Sequence, residues 1–147
     1  MSILTLDRIL LRATATSKEQ AIRLAGQLLV AGGCVAPAYV EGMLAREETM
    51  STYLGNGVAI PHGQFDNRQQ IYQTAISVVQ VPQGVEWEPG EKAYLVVGIA
   101  ASSDEHVSVL ANLADAVEDE TLTRQLIETE DPQVILQILG AERAVDV

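Results

Sequence analysis

The chain has a single cysteine, Cys34, among 147 residues. An internal disulfide is therefore excluded, and so is any zinc motif built on paired cysteines. Basic residues are scarce: nine Lys and Arg stand against twenty Asp and Glu, a formal charge of −11. Nucleic acid is a poor partner for such a surface, because its binding depends on neutralising phosphates with Lys and Arg. A basic protein would be drawn to it, and solubility alone explains the charge equally well. Long apolar runs are also missing. The longest, residues 94–101, falls far short of the roughly 20 residues a spanning helix needs. Asp7 and Arg8 interrupt residues 1–11, where a signal peptide would need an apolar core. These absences point to the cytoplasm and to no direct membrane insertion. The two histidines, His62 and His106, lie far apart and form no His-x-x-x-His pattern, so no metal site is expected.

What is present suffices for a core: 48% of residues are hydrophobic and 20% charged, the balance of a globular chain. No repeat, low-complexity tract or linker divides residues 1–147, so one domain is expected, burying roughly 70% of its unfolded surface. Residues 9–11 begin as a short strand. Ser17 with Gln20 reads as a capping box, after which Ala21, Leu24, Ala25 and Leu28 share a helical face that Gly32-Gly33 ends. Pro37 suits the first position of a second helix, with Val40, Met43 and Leu44 inward. Residues 74–81 and 94–100 read as strands; Pro82-Gln83-Gly84 is expected to turn the chain, and residues 85–87 to add a short strand. Ser102 and Glu105 make another capping box, followed by Val107, Leu110, Ala114 and Val117 at helical spacing. Residues 121–129 form a shorter helix, and Asp131-Pro132 opens the last one, with Gly140 as its stop. Helices before, strands in the centre and helices after predict an α/β domain, a mixed central sheet flanked by helices.

The residue that stands out is His62, in Gly55-Asn56-Gly57-Val58-Ala59-Ile60-Pro61-His62-Gly63. Gly55 and Gly57 permit a tight turn before a short apolar strand, and Pro61 donates no ladder bond, so pairing should stop there. Gly63 takes bulk away beside the imidazole and lets backbone N–H groups approach an anion. From composition alone, an ordinary turn histidine is the commoner case.

The run Thr49-Met50-Ser51-Thr52-Tyr53-Leu54 followed by that segment resembles the active-site stretch of the enzyme IIA components of the sugar phosphotransferase system, mannitol/fructose class. Ala15-Thr16-Ser17-Lys18-Glu19-Gln20-Ala21-Ile22 is similar to the start of that family's first helix. Met43-Leu44-Ala45-Arg46-Glu47-Glu48 resembles its arginine-bearing stretch. Leu95-Val96-Val97-Gly98-Ile99-Ala100-Ala101 with Asp104-Glu105-His106 resembles the segment of its second histidine. The resemblance covers nearly the whole chain and implies the family's α/β sandwich.

It also implies a function. His62 corresponds to the phospho-accepting histidine, which takes a phosphoryl group from the histidine phosphocarrier protein HPr and passes it to the cysteine of an enzyme IIB on a separate chain. A neutral imidazole is a competent nucleophile toward phosphorus, and phosphoryl transfer needs mainly in-line placement and charge stabilisation, so no cofactor is called for. His106 corresponds to the supporting histidine; a surface histidine in a polar first turn is the alternative. Arg46 matches an arginine near the active site, where a guanidinium can bridge phosphoryl oxygens, although a cation at a helix end suits the dipole without further function. Asn56 stands where some mannitol-type members carry glutamate and others asparagine; the resemblance counts it with Arg46 and Gly63 among the phosphate- or partner-supporting positions, with a turn former between glycines as the alternative. Cys34 lacks the loop of a IIB cysteine and reads as a small buried residue. Residues 49–54 and the uncharged Gln64 look more like the mannitol branch than the fructose branch. Fructose-type and nitrogen-related regulatory IIA domains are the alternatives; a metal-dependent hydrolase using Asp66, Asp104 and Glu105 with the histidines is a remote one.

Overall fold

A computed structural model describes residues 3–101 and 103–140 of the chain. Five strands form one sheet in the order β1-β4-β5-β3-β2: β1 (Ile9–Leu10), β2 (Tyr53–Gly55), β3 (Val58–Ala59), β4 (Ala75–Glu88) and β5 (Glu91–Ala100). The sheet is mixed. β1 runs parallel to β4 and β3 parallel to β5, while β4/β5 and β2/β3 are antiparallel. Helices α1 (Lys18–Ala31) and α2 (Tyr39–Thr49) cover one face; α3 (Ser103–Glu118), α4 (Glu120–Glu128) and α5 (Pro132–Leu139) cover the other. The expected α/β sandwich is the observed one.

Period-two alternation sorts the central strands between two cores. Val79, Val81, Ala93, Val96 and Ala100 meet Ala21, Ile22, Ala25 and Leu29 of α1 and Met43 of α2. Ile76, Val78, Leu95, Val97 and Ile99 meet Val109, Leu113, Leu126 and Ile135 on the far side. Each Val, Leu, Ile or Met among them contributes about 1.5–3 kcal/mol on full burial. Polar residues on these strands are answered by helix backbone: Ser77 Oγ donates to Ala25 O at 2.7 Å, and Gln80 Nε2 to Thr129 O at 2.9 Å.

Several local expectations are corrected. Ser17 Oγ does accept from Gln20 N, but Gln20 reaches back to Thr16 N rather than to Ser17, so the box is open by one residue. The buried face of α1 includes Ile22 and Leu29, with Leu24 and Leu28 half-buried. Pro37 precedes α2 by two residues: Tyr39 N donates to Ala36 O and Val40 N to Pro37 O, a tighter entry turn in which no side chain caps. Pro82-Gln83-Gly84 does not reverse the chain. β4 runs on through it as a bulge, with Val85 still opposite Ala93, and the hairpin closes at Pro89-Gly90. Val107 is 69% exposed, and α3 instead buries Val109, Leu113, Ala116 and Val117. The α4 cap is Asp119, whose carboxylate accepts from Thr121 N and Leu122 N. Asp131 and Pro132 open α5 as expected. The proposed Ser102–Glu105 box lies outside the described residues. Among the described residues no helix is long and apolar enough to cross a membrane.

Candidate active site

His62 leaves the end of β3 beside the end of β5. Sequence reasoning stops the pairing at Pro61, yet one rung returns after it. Ile99 N donates to Pro61 O at 3.0 Å, and His62 bridges Ile99 in the same parallel register that pairs Val58 with Leu95. His62 is buried, and its Nδ1 lies 3.1 Å from Gly63 O. A carbonyl only accepts, so this contact is a hydrogen bond when Nδ1 carries the proton, which leaves the lone pair on Nε2.

The His106 ring, from the first turn of α3, sits 4.8 Å from that of His62, the two nearly perpendicular at 86°. Burial holds His62 down to about 4; the charges of His106 and Arg46 act the same way, and the Gly63 carbonyl opposes them. Burial, then the Arg46 charge, also lowers His106. Both imidazoles are therefore neutral at physiological pH. Arg46, in the last turn of α2, donates from Nη1 to Met50 O at 2.7 Å and lends its charge to the histidine pair. The structure sets the His106 ring against that of His62 and puts both within the field of the Arg46 charge.

Gly63 is at the site for another reason than expected. A Cβ there would meet Tyr39 Cε1 at 2.6 Å, so the missing side chain makes room for a ring. Its N–H is not open to an anion, since it donates to Tyr39 Oη at 2.9 Å; the next amide, Gln64 N, donates to Asn67 Oδ1 at 2.8 Å. Asn56 is placed elsewhere. With φ of 52° and Gly57 at 81°, Asn56 forms the two-residue turn of the β2–β3 hairpin, a conformation Asn and Gly tolerate. Its Nδ2 donates to Val117 O at 2.7 Å, near the end of α3 opposite His106. The hairpin tip and His62 occupy opposite ends of β3, so Asn56 shapes the fold and does not touch the histidine pair.

The remaining candidates separate as follows. Cys34 is buried and receives Gln73 Nε2 at 3.3 Å. Asp66 is exposed, Glu105 pairs with Thr74 Oγ1, and the Asp104 side chain lies outside the described residues. Among the described residues no three His, Cys, Asp or Glu side chains group to hold a metal ion.

Two groups escaped sequence reasoning. Tyr39 is one; its spacing with Gly42 and Arg46 on one stripe of α2 was the available signal. The other is buried Glu47, which accepts from Thr52 N at 3.1 Å, Thr52 Oγ1 at 2.5 Å and Trp87 Nε1 at 3.0 Å, with Lys18 Nζ at 3.6 Å. It anchors Thr52, whose carbonyl accepts from Ile60 N just before His62.

Known proteins share this architecture. The family model for the phosphoenolpyruvate-dependent sugar phosphotransferase system, EIIA 2, matches residues 2–141. A multiphosphoryl transfer protein of Xanthomonas campestris is 48% identical over 97% of this chain. The chain spans only 17% of that protein's length and 34% of its Salmonella typhimurium counterpart's. The mannitol-specific phosphotransferase enzyme IIA component of Bacillus subtilis is 39% identical, covering 95% of this chain and 98% of its own. A chain of the solved complex of enzyme IIAMTL and phosphorylated enzyme IIBMTL from Escherichia coli superposes with a TM-score of 0.87 at 39% identity, covering 92% of this chain and 96% of that one. The match over residues 2–141, with the near-full-length likeness to an enzyme IIA component, shows that this chain belongs to the EIIA 2 family of the phosphoenolpyruvate-dependent sugar phosphotransferase system.

Proposed function

We propose that the chain is a cytoplasmic phosphocarrier that takes a phosphoryl group from HPr onto Nε2 of His62 and passes it to the cysteine of a mannitol-type enzyme IIB. One observation carries this reading: His62 is held neutral with Nδ1 directed at Gly63 O, beside His106 and the Arg46 charge. The Nε2 lone pair attacks phosphorus as the bond to the donor histidine breaks, and the donor nitrogen keeps the electron pair. The proton stays on Nδ1, where Gly63 O offsets the positive charge the ring gains as the N–P bond forms. The same protonated ring is a good leaving group when the IIB thiolate attacks, forming S–P and breaking N–P. Arg46 supplies positive charge for the phosphoryl oxygens, and neutral His106 orients the acceptor ring or donates to one oxygen. Residues 1–147 act as one such unit, with no metal or cofactor in the step.

Mannitol is favoured by the likeness to the mannitol-specific IIA of Bacillus subtilis and to the IIAMTL complex. A second reading is that the chain serves the kind of system a multiphosphoryl transfer protein serves, since identity to those proteins reaches 48%. A reconstituted relay from labelled phosphoenolpyruvate tests both. His62→Ala is expected to accept no label, and wild-type label to pass faster to a mannitol-type than to a fructose-type IIB at equal concentration. Label on another residue removes His62 from the role. Equal rates, or a fructose preference, remove mannitol, and label that never leaves for any IIB favours a regulatory domain.

A further inference from the structure

We propose that Tyr39 is the positioning residue that sets the tautomer and the aim of the His62 imidazole, seconded by Asn67. The inference rests on His62 being the phosphoryl acceptor.

A parallel rung between residues 62 and 99 calls for two bonds, Ile99 N to Pro61 O and Gly63 N to Ile99 O. The first is present at 3.0 Å. At the second, the Tyr39 hydroxyl engages both partners: it accepts from Gly63 N at 2.9 Å and donates to Ile99 O at 2.8 Å. The hydroxyl thus ties both strands together directly after His62, while the ring fills the space a Gly63 side chain would need. The peptide plane between His62 and Gly63 is fixed by this contact. The next plane, which carries the Gly63 carbonyl facing Nδ1, is fixed by Gln64 N donating to Asn67 Oδ1 at 2.8 Å. Asn67 in turn lies against Gly42, where a Cβ would run into its side-chain amide. One plane flanking Gly63 is therefore gripped by Tyr39 of α2 and the other by Asn67, which rests on Gly42 of the same helix stripe that Arg46 continues. Burial pushes the Tyr39 hydroxyl up to about 12, so it keeps its proton and its direction of donation throughout the working range.

Tyr39→Phe keeps the ring over Gly63 and removes only the hydroxyl. Gly63 N and Ile99 O then close on each other or stay unpaired, and in either case the Gly63 carbonyl loses its set position beneath Nδ1. The imidazole tautomer is read by 15N NMR on unphosphorylated protein, together with the rate of phosphoryl acceptance from phospho-HPr. The wild type is expected to carry its His62 proton on Nδ1 alone. Tyr39→Phe is expected to populate both tautomers and to accept phosphate about five- to tenfold more slowly, the worth of one ordinary hydrogen bond. Asn67→Ala, at a half-buried site, is expected to shift the tautomer in the same direction and serves if Tyr39→Phe does not fold. A wild-type proton on Nε2 overturns the inference. So does a folded Tyr39→Phe with unchanged tautomer and rate, or, failing that variant, an Asn67→Ala with an unchanged tautomer. Because the tautomer is read without any phosphoryl donor, failure of the carrier reading shows separately, as label that does not reach His62.

Discussion

Consider the protein and its His62→Gln variant carried in parallel from about pH 7.5 down to about pH 5, a window in which His62 alone of the two side chains can gain a proton. In the unfolded chain this imidazole titrates near 6.5, whereas burial in the fold holds it at about 4. Between those values the unfolded state binds the extra proton and the native state does not. Stability is therefore whole above 6.5 and is lost as pH falls toward 4. Because His62 is buried, little solvent screening reduces the effect, which amounts to about 2 kcal/mol by pH 5 and about 3 kcal/mol once pH falls below 4. Urea unfolding followed by the fluorescence of buried Trp87, the one tryptophan, reads the loss in each protein. Carboxylates and His106 titrate in both, so the excess loss in the wild type isolates His62. Phosphoryl acceptance should follow the same rule and persist well below pH 6.5, where an ordinary imidazole would already be half protonated. An equal loss in the two proteins, or an NMR midpoint for His62 at or above 6.5, would refute the buried-neutral account.

Gly63→Ala forces a methyl group against the Tyr39 ring and should cost about 1–3 kcal/mol in thermal unfolding as well as slowing phosphoryl acceptance; an unchanged melting temperature would show that the ring yields freely. His106→Ala should still be phosphorylated on His62 but should donate to IIB more slowly, and unchanged rates in both directions would return His106 to a surface role. Asn56→Gly keeps the left-handed turn while losing the bond to Val117 O, so about 1 kcal/mol of stability should go with no change in transfer rate; a slowed transfer would place Asn56 back in the site.

The fold was legible where one local signal governs one element. Ser17 announced α1, Asp131-Pro132 announced α5, and the β-branched runs of β4 and β5 alternate cleanly between two helix layers. Elements set by their neighbours were not legible. Gly84 with Pro82 carries the signature of a turn, but Val85 finds Ala93 across the ladder, so the strand bulges and continues. Val107 fits a helical stripe in sequence and still faces solvent, because α3 meets the sheet through Val109, Leu113 and Ala116. At the candidate site, His62, His106 and Arg46 were singled out through motif likeness. Gly63 was found for the wrong cause, since a Tyr39 ring brought from another element occupies the space expected for an anion. A residue whose partner lies on a distant segment carries no local mark of it.

That dependence on distant segments fixes when the site can form during synthesis. β3 pairs with β2 through a tight hairpin, a local and rapid event, but its other neighbour is β5, and a parallel neighbour is reached only through a long crossover. Until Ile99 has emerged and joined the sheet, His62 lacks its flanking rung, Tyr39 lacks the carbonyl to which its hydroxyl donates, and His106 has not been made. A nascent or partly folded chain thus exposes an imidazole with neither lowered basicity nor a set tautomer. The neutral, oriented imidazole can therefore form only after β5 has joined the centre of the sheet.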